Sequence, residues 1–292
     1  MENKAAKTAW GPMVQVALEQ LVPDEQRIIH DAVAYRLMPA PLKGLVNLCR
    51  IDLLRHMLLN LVNRRVPGIR GGLLCRKSYI DEKLIEALNA GVQSVVILGA
   101  GFDTRAYRIA ELASLQVYEV DLPQNIQSKR VELQRLFGGV PTHVKLVSMD
   151  FGSQELEGAL QQAGYSGGQP SFFIWEAVTQ YISETAVRKV FEFLRKAPVR
   201  SQLVFTYVRK DFIEGKCMYG LDVLYHQTRV KKQLWKFGLE PEAIGAFLGQ
   251  YAWKELEQVG SAEYQERYLK PMKRVLLVME VERTVHAERM AN

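Results

Sequence analysis

The sequence predicts an α/β protein built on a doubly wound, mostly parallel sheet of seven strands with helices on both faces. Three observations carry that expectation. Short apolar runs alternate with helix-like stretches from about residue 91 onward. Each reads as a buried apolar run, as in a strand covered on both faces, and not as the alternation of a half-exposed strand. The first four runs end in glycine or an acidic residue, where an open sheet presents its carboxyl edge to ligands.

The runs are Ser94–Leu98, which leads into Gly99-Ala100-Gly101-Phe102-Asp103, and Gln116–Val120, which ends at Asp121-Leu122-Pro123. Val144–Met149 ends at Asp150, Phe172–Trp175 ends at Glu176, and Leu203–Tyr207 follows. A sixth strand is expected near 251–256, and Val275–Val281 reads as a terminal strand. Helices are expected near 103–113, 124–137, 153–163, 184–196 and 241–249, with a helix-rich insert at about 211–250. Residues 1–90 form an N-terminal helical cap, and 91–292 form the core with its insert as one structural unit. Within the cap, Val14, Ala17, Leu18 and Leu21 recur at helical spacing until Pro23-Asp24. A second helix runs from near Asp24 to the Met38-Pro39-Ala40-Pro41 break. A third, 42–65, is stopped by Pro67-Gly68 and Gly71-Gly72, and a fourth covers Ser78–Asn89.

Composition narrows the function classes. Of 292 residues, 48% are hydrophobic and 24% charged, ample apolar content for a packed core and unlike a disordered chain. The formal charge of +6 comes from scattered cations without the concentrated stripe of a nucleic-acid binder. Three distant cysteines, Cys49, Cys75 and Cys217, fit reduced thiols in a cytoplasmic protein and leave no metal motif. The N-terminus lacks the apolar core of a signal peptide, and Arg50, Asp52, Arg55 and His56 interrupt the longest apolar stretch, so no membrane partner is expected.

The glycine turn carries the chemistry. A dinucleotide site needs G-x-G-x-x-G, whose amides hold a pyrophosphate. Here Gly99 and Gly101 are followed by Thr104 in the third position, and Asp103 would repel phosphate. Asp121, 22 residues after Gly99, stands where such folds place the acid that binds ribose hydroxyls. A ribose acid without a pyrophosphate cradle points to S-adenosyl-L-methionine. Glu119 shares a strand face with Asp121, so the spacing alone does not choose between them.

The string Val95-Val96-Ile97-Leu98-Gly99-Ala100-Gly101-Phe102-Asp103-Thr104-Arg105-Ala106-Tyr107-Arg108 resembles the hallmark of the leucine carboxyl methyltransferase-like family. Tyr118–Pro123 with Lys129, the Asp150-Phe151 pair, Arg76–Asp81 and Phe173–Ile182 are similar to further segments of that family. The resemblance implies a Rossmann-like class I methyltransferase fold with S-adenosyl-L-methionine as cofactor. It also implies that Arg76 pairs with the cofactor's carboxylate, Gly99 and Gly101 pass its methionine part, and Asp121 binds its ribose. Asp150 and Phe151 would hold the adenine and Glu176 the ammonium. Asp103 and Arg105 are equally readable as a structural pair that fixes the loop. Ala177-Val178-Thr179-Gln180 departs from the usual Gly-Leu-Leu, and Thr179 and Gln180 add polarity near the expected reaction centre.

The implied reaction transfers a methyl group to oxygen, a carboxylate or hydroxyl, of a small and largely apolar metabolite; C- or N-methylation on the same scaffold is the nearest alternative. An oxidoreductase or a non-catalytic cofactor-binding protein are the other classes. A hydroxyl acceptor would gain from a base, for which Tyr181, Tyr225, His226 and His30 are the candidates. Trp10, Met13, Tyr35, Met38, Met218, Tyr219 and Tyr225 are the side chains expected to line an acceptor cavity under the cap and insert. A homo-oligomer is compatible with the sequence.

Overall fold

The computed structural model describes residues 10–291. Seven strands, β1 (Ser94–Leu98), β2 (Gln116–Asp121), β3 (Val144–Ser148), β4 (Ser171–Trp175), β5 (Gln202–Val208), β6 (Trp253–Val259) and β7 (Glu282–Arg289), form one sheet in the order β3-β2-β1-β4-β5-β7-β6. Strands β1 to β5 are mutually parallel, and β7 alone runs against its neighbours β5 and β6. The order reverses between β1 and β4, which opens a crevice at their carboxyl ends.

Alternation along the strands fills both faces. Val96, Leu98, Phe173 and Trp175 enter one core, whereas Val95, Ile97, Phe172 and Ile174 enter the other. Both sets are almost fully excluded from water, which is why these strands read as uninterrupted apolar runs.

The cap consists of α1 (Trp10–Glu19), α2 (Ala32–Leu37), α3 (Ala40–Leu48), α4 (Asp52–Arg65) and α5 (Ile69–Asn89). Three helix expectations are corrected here. The residues after Asp24 form only a short 3-10 turn, and α2 starts at Ala32 behind Asp31, whose carboxylate accepts from the Ala34 amide at 2.9 Å. Pro39-Ala40-Pro41 starts α3 instead of only ending its predecessor, because proline suits the first helical turn, where its missing N–H has no partner to lose. The single helix expected over 42–65 is broken at Cys49-Arg50-Ile51.

Gly71-Gly72 lies inside α5 and does not stop it. These glycines form a notch for the segment 276–279: a Cβ on Gly71 would lie 2.2 Å from the Leu277 carbonyl oxygen. The same segment overturns the expectation of a terminal strand at Val275–Val281. Val275–Val281 is not a strand; it crosses the start of α5, where the Met279 amide donates to the Gly68 carbonyl at 3.2 Å, with Val275 and Leu277 exposed. The terminal strand is the polar-looking β7, whose buried groups are paired: Thr284 with the Tyr264 hydroxyl at 2.6 Å and His286 with Gln202 at 2.9 Å.

After the cap, α6 (Arg105–Arg108), α7 (Pro123–Phe137), α8 (Leu156–Gln162) and α9 (Glu184–Leu194) alternate with the strands. The insert carries two four-residue helices, Lys210–Ile213 and Asp222–Tyr225, with a π-turn over His226–Lys231.

Glycine in a helix interior normally costs about 1 kcal/mol relative to alanine. At Gly71 the sign reverses: Gly71→Ala should lower stability in chemical denaturation by about 1–3 kcal/mol through overpacking. An increase of about 1 kcal/mol would show that the notch does not hold the 276–279 segment.

Candidate functional site

At the carboxyl ends of β1, β2 and β4 lies a cavity of about 630 Å³. Its floor is the glycine turn. The Gly99 and Ala100 amides donate to the Val120 carbonyl at 2.7 and 3.0 Å, which bends the chain away from the sheet. Gly99 has φ +72°, and a Cβ there would stand 2.2 Å from Val178 Cγ2, so both conformation and contact demand glycine. Gly101 is also left-handed, at φ +46°.

Asp121 closes the end of β2. Its carboxylate accepts from the Gly101 amide, from the Leu122 amide at 2.6 Å and from Asn125 Nδ2 at 2.8 Å. Burial raises its pKa, and these three donors oppose the rise. Glu119, two residues earlier, is used differently: it is fully buried 2.7 Å from Lys129 Nζ and 2.7 Å from the Tyr107 hydroxyl, and only Asp121 of the two lines the cavity. Asp150, with Oδ1 accepting from the Gly152 amide at 2.8 Å, and Phe151, tilted against Trp175, form the neighbouring wall.

Behind the cavity runs a network of charges. Arg105, fully buried, donates to Asp81 at 2.7 Å, to Glu176 at 2.9 Å and to Asp103. Asp103 and Arg105 are thus the loop-fixing pair, and the Arg105 amide also donates to Asp103 at 2.8 Å. Arg76 places Nε and Nη2 each 2.9 Å from Glu176 and pairs through Nη1 with Glu282 at the start of β7. Burial alone would raise the Glu176 carboxyl, but Lys77, Arg76 and Arg105 hold it far below the usual carboxylate range.

Arg76, Gly99, Gly101, Asp121, Asp150, Phe151 and Glu176 therefore all line one cavity, together with Tyr181. The other candidate bases are elsewhere. Tyr225 packs edge-on against Phe212, and His226 in the insert and His30 in the cap are exposed. The expected aromatic and methionine lining is also corrected. Of that set Met13 lines the cavity; Trp10 stacks on the lining residue Phe102, Tyr35 bonds Asn47, and Met38 is core. Met218, Tyr219 and Tyr225 pack with Phe212 and Trp235. The cap contributes Pro12, Val16 and Ala34 instead, and the insert contributes Gln233, Leu234 and Lys236. Asn125 was missed although it stands one helical turn after Asp121; Glu282, 206 residues from Arg76, carries no local signal.

This sheet order, with a glycine turn and acids at successive strand ends, is a Rossmann-like scaffold of the kind found in solved methyltransferases. A candidate methyltransferase of Thermobifida fusca superposes with a TM-score of 0.56 at 14% identity, over 82% of this chain and 89% of that one. The chain belongs to the leucine carboxyl methyltransferase family, whose model matches residues 9–195. A Mycobacterium marinum protein named as a candidate S-adenosyl-L-methionine-dependent methyltransferase is 34% identical over 138 residues, 47% of this chain and 45% of that protein. A Mycolicibacterium paratuberculosis protein of the same description is 27% identical over 219 residues, 70% and 67% of the two chains. The first of these matches spans less than half of its relative's length.

The depressed Glu176 carboxyl has a consequence for acid stability. Its contribution is complete above the unfolded value near pH ~4.3 and is lost as pH falls toward the folded value. Glu176→Gln should cost about 3 kcal/mol at pH 7, since it leaves buried cations short of a partner. The deficit should shrink as the solution is acidified below pH about 4. A variant whose stability curve runs parallel to the parent from neutral pH into that range would contradict the network.

Proposed function

We propose that the chain is an S-adenosyl-L-methionine-dependent methyltransferase that acts on an oxygen, carboxylate or hydroxyl, of a small and largely apolar molecule. The observation that carries this reading is the charge of the cavity wall. Five carboxylates (Asp31, Asp103, Asp121, Asp150 and Glu176) face three cations (Arg76, Lys77 and Lys236), in a chain whose overall charge is +6. An acidic pocket in a basic protein favours a cationic ligand.

The residues present fit the group. Gly99 and Gly101 line the cavity floor, where the methionine part would run. Asp121 has protein donors for three of its four or so acceptor positions, which leaves one for a ribose hydroxyl. Asp150 and Phe151 offer an acceptor and a ring face to adenine, Glu176 offers charge to the ammonium, and Arg76 uses three of its five N–H groups, leaving two for a carboxylate. When bound, the cofactor supplies an electrophilic methyl group on a sulfonium.

The chain's own part is alignment and exclusion of water, which supply much of the acceleration in such a displacement. Met13, Val16, Ala34, Phe102, Ile182 and Leu234 give the remaining wall an apolar character suited to the acceptor. A carboxylate acceptor is already ionised and needs no base; for a hydroxyl, Tyr181 is the named candidate at the wall. A dinucleotide reading is opposed by the buried Asp103–Arg105 pair and by an α6 of only four residues where a phosphate-binding helix would begin.

Calorimetric titration with S-adenosyl-L-methionine and with S-adenosyl-L-homocysteine should give saturable binding, and Asp121→Ala should weaken it by about 1–3 kcal/mol. Binding of NADH in place of either compound would overturn the assignment. For the acceptor, transfer of labelled methyl to a base-labile ester or to an ether is expected; label recovered on nitrogen or carbon would defeat the oxygen reading.

A further inference from the structure

Helix α4 is held to the body without a single buried side chain, although seven of its fourteen residues are Leu, Met or Val. Leu58 and Leu59 pack partly against the cap, whereas Leu53, Met57 and Leu61, at successive i+4 positions, are 68%, 61% and 49% exposed. Leu48 and Ile51, in the approach to this helix, are 58% and 57% exposed. Arg64 and Arg65 follow Leu61 at i+3 and i+4 and so continue the same side, and Arg50 precedes Ile51. Residues 40–65 contain five Arg or Lys and one carboxylate, Asp52, so this hairpin holds +4 of the chain's net charge of +6.

We propose that the α3–α4 hairpin docks the protein peripherally on an anionic lipid surface, with α4 lying in the interface plane. An exposed aliphatic stripe bracketed by cations is the pattern of an interfacial helix: the stripe enters the acyl boundary and the guanidinium groups meet lipid phosphates. No helix among the described residues is long and apolar enough to cross a membrane, so the contact is one of lying on the surface. Charge argues against a second copy as the occupant. Two α4 helices paired antiparallel across Met57 would bring Arg64 and Arg65 over the partner's Arg50 end, and a parallel pairing would stack them on themselves. The stripe also lacks the Trp and Tyr anchors on which protein interfaces concentrate their energy. Membrane docking revises the expectation of no membrane partner, which followed from the inability of the stretch 42–62 to span a bilayer.

Cosedimentation of the full chain with phosphatidylcholine vesicles, with and without phosphatidylglycerol, tests this directly. Binding is expected only to the vesicles containing phosphatidylglycerol and should fall as salt screens the cations. Leu53→Glu/Met57→Glu/Leu61→Glu should reduce partitioning about 100-fold or more. Arg64→Glu/Arg65→Glu, which alters only exposed residues, should reduce it about tenfold or more, both variants keeping the parent's circular dichroism and thermal transition. Absence of binding to the anionic vesicles, equal binding to neutral ones, or binding unchanged in both variants would overturn the proposal. So would a parent dimer, measured by sedimentation, that the triple variant converts to monomer, since the stripe would then belong to a second copy.

Discussion

The site depends on one buried guanidinium. Arg105 has no exposed surface, and its partners come from three places far apart in the chain: Asp81 on α5, Asp103 in the glycine turn and Glu176 at the end of β4. A charge so deeply buried is tolerable only when its donors are matched, and here each carboxylate that satisfies it belongs to a different element. The arrangement fixes the glycine turn against α5 and against the fourth strand, and so sets the distance across the crevice.

The same logic extends outward. Arg76 connects Glu176 to Glu282, which joins the site to the antiparallel strand inserted between β5 and β6. Arg108 pairs with Asp81 at 2.6 Å, and the Thr104 hydroxyl donates to Asp31, the residue that caps α2. Through these contacts the helical cap is registered on the turn that it covers. The cavity's acidic balance is thus a by-product of a structural network as well as a recognition device: Glu176 and Asp103 serve the fold and face the cavity at once.

Strands β1, β4 and β5 were legible in the sequence because each is buried on both faces, and burial on both faces writes itself as a nearly unbroken apolar run; β2 carries the buried Glu119, and the edge strand β3, with Lys145 and Ser148 exposed, was legible from Val144, Leu146 and Val147. Strand β7 was not legible for the complementary reason. Thr284, His286 and Glu282 are buried or partly buried but satisfied by partners 20 to 206 residues away, and no local pattern announces such pairing. The run at 275–281 looked more like a strand than the strand itself, because its apolar side chains serve a packing notch made by two glycines. The motif-derived site residues converge on one cavity because strand ends converge by topology. The acceptor wall was read less well: which face of a cap helix looks inward is decided by tertiary packing, so Pro12, Val16 and Ala34 were missed while Tyr35 and Met38 were named.

The central claim is that the crevice above β1, β2 and β4 receives a phosphate-free adenosyl ligand on acidic side chains. A crystal structure with S-adenosyl-L-homocysteine tests it most directly. The account requires the ribose hydroxyls against the Asp121 carboxylate and the adenine beside Phe151, with the Arg105 network unbroken behind them. Ligand density in another part of the molecule, or adenosyl density in this crevice whose ribose turns away from Asp121, would contradict it.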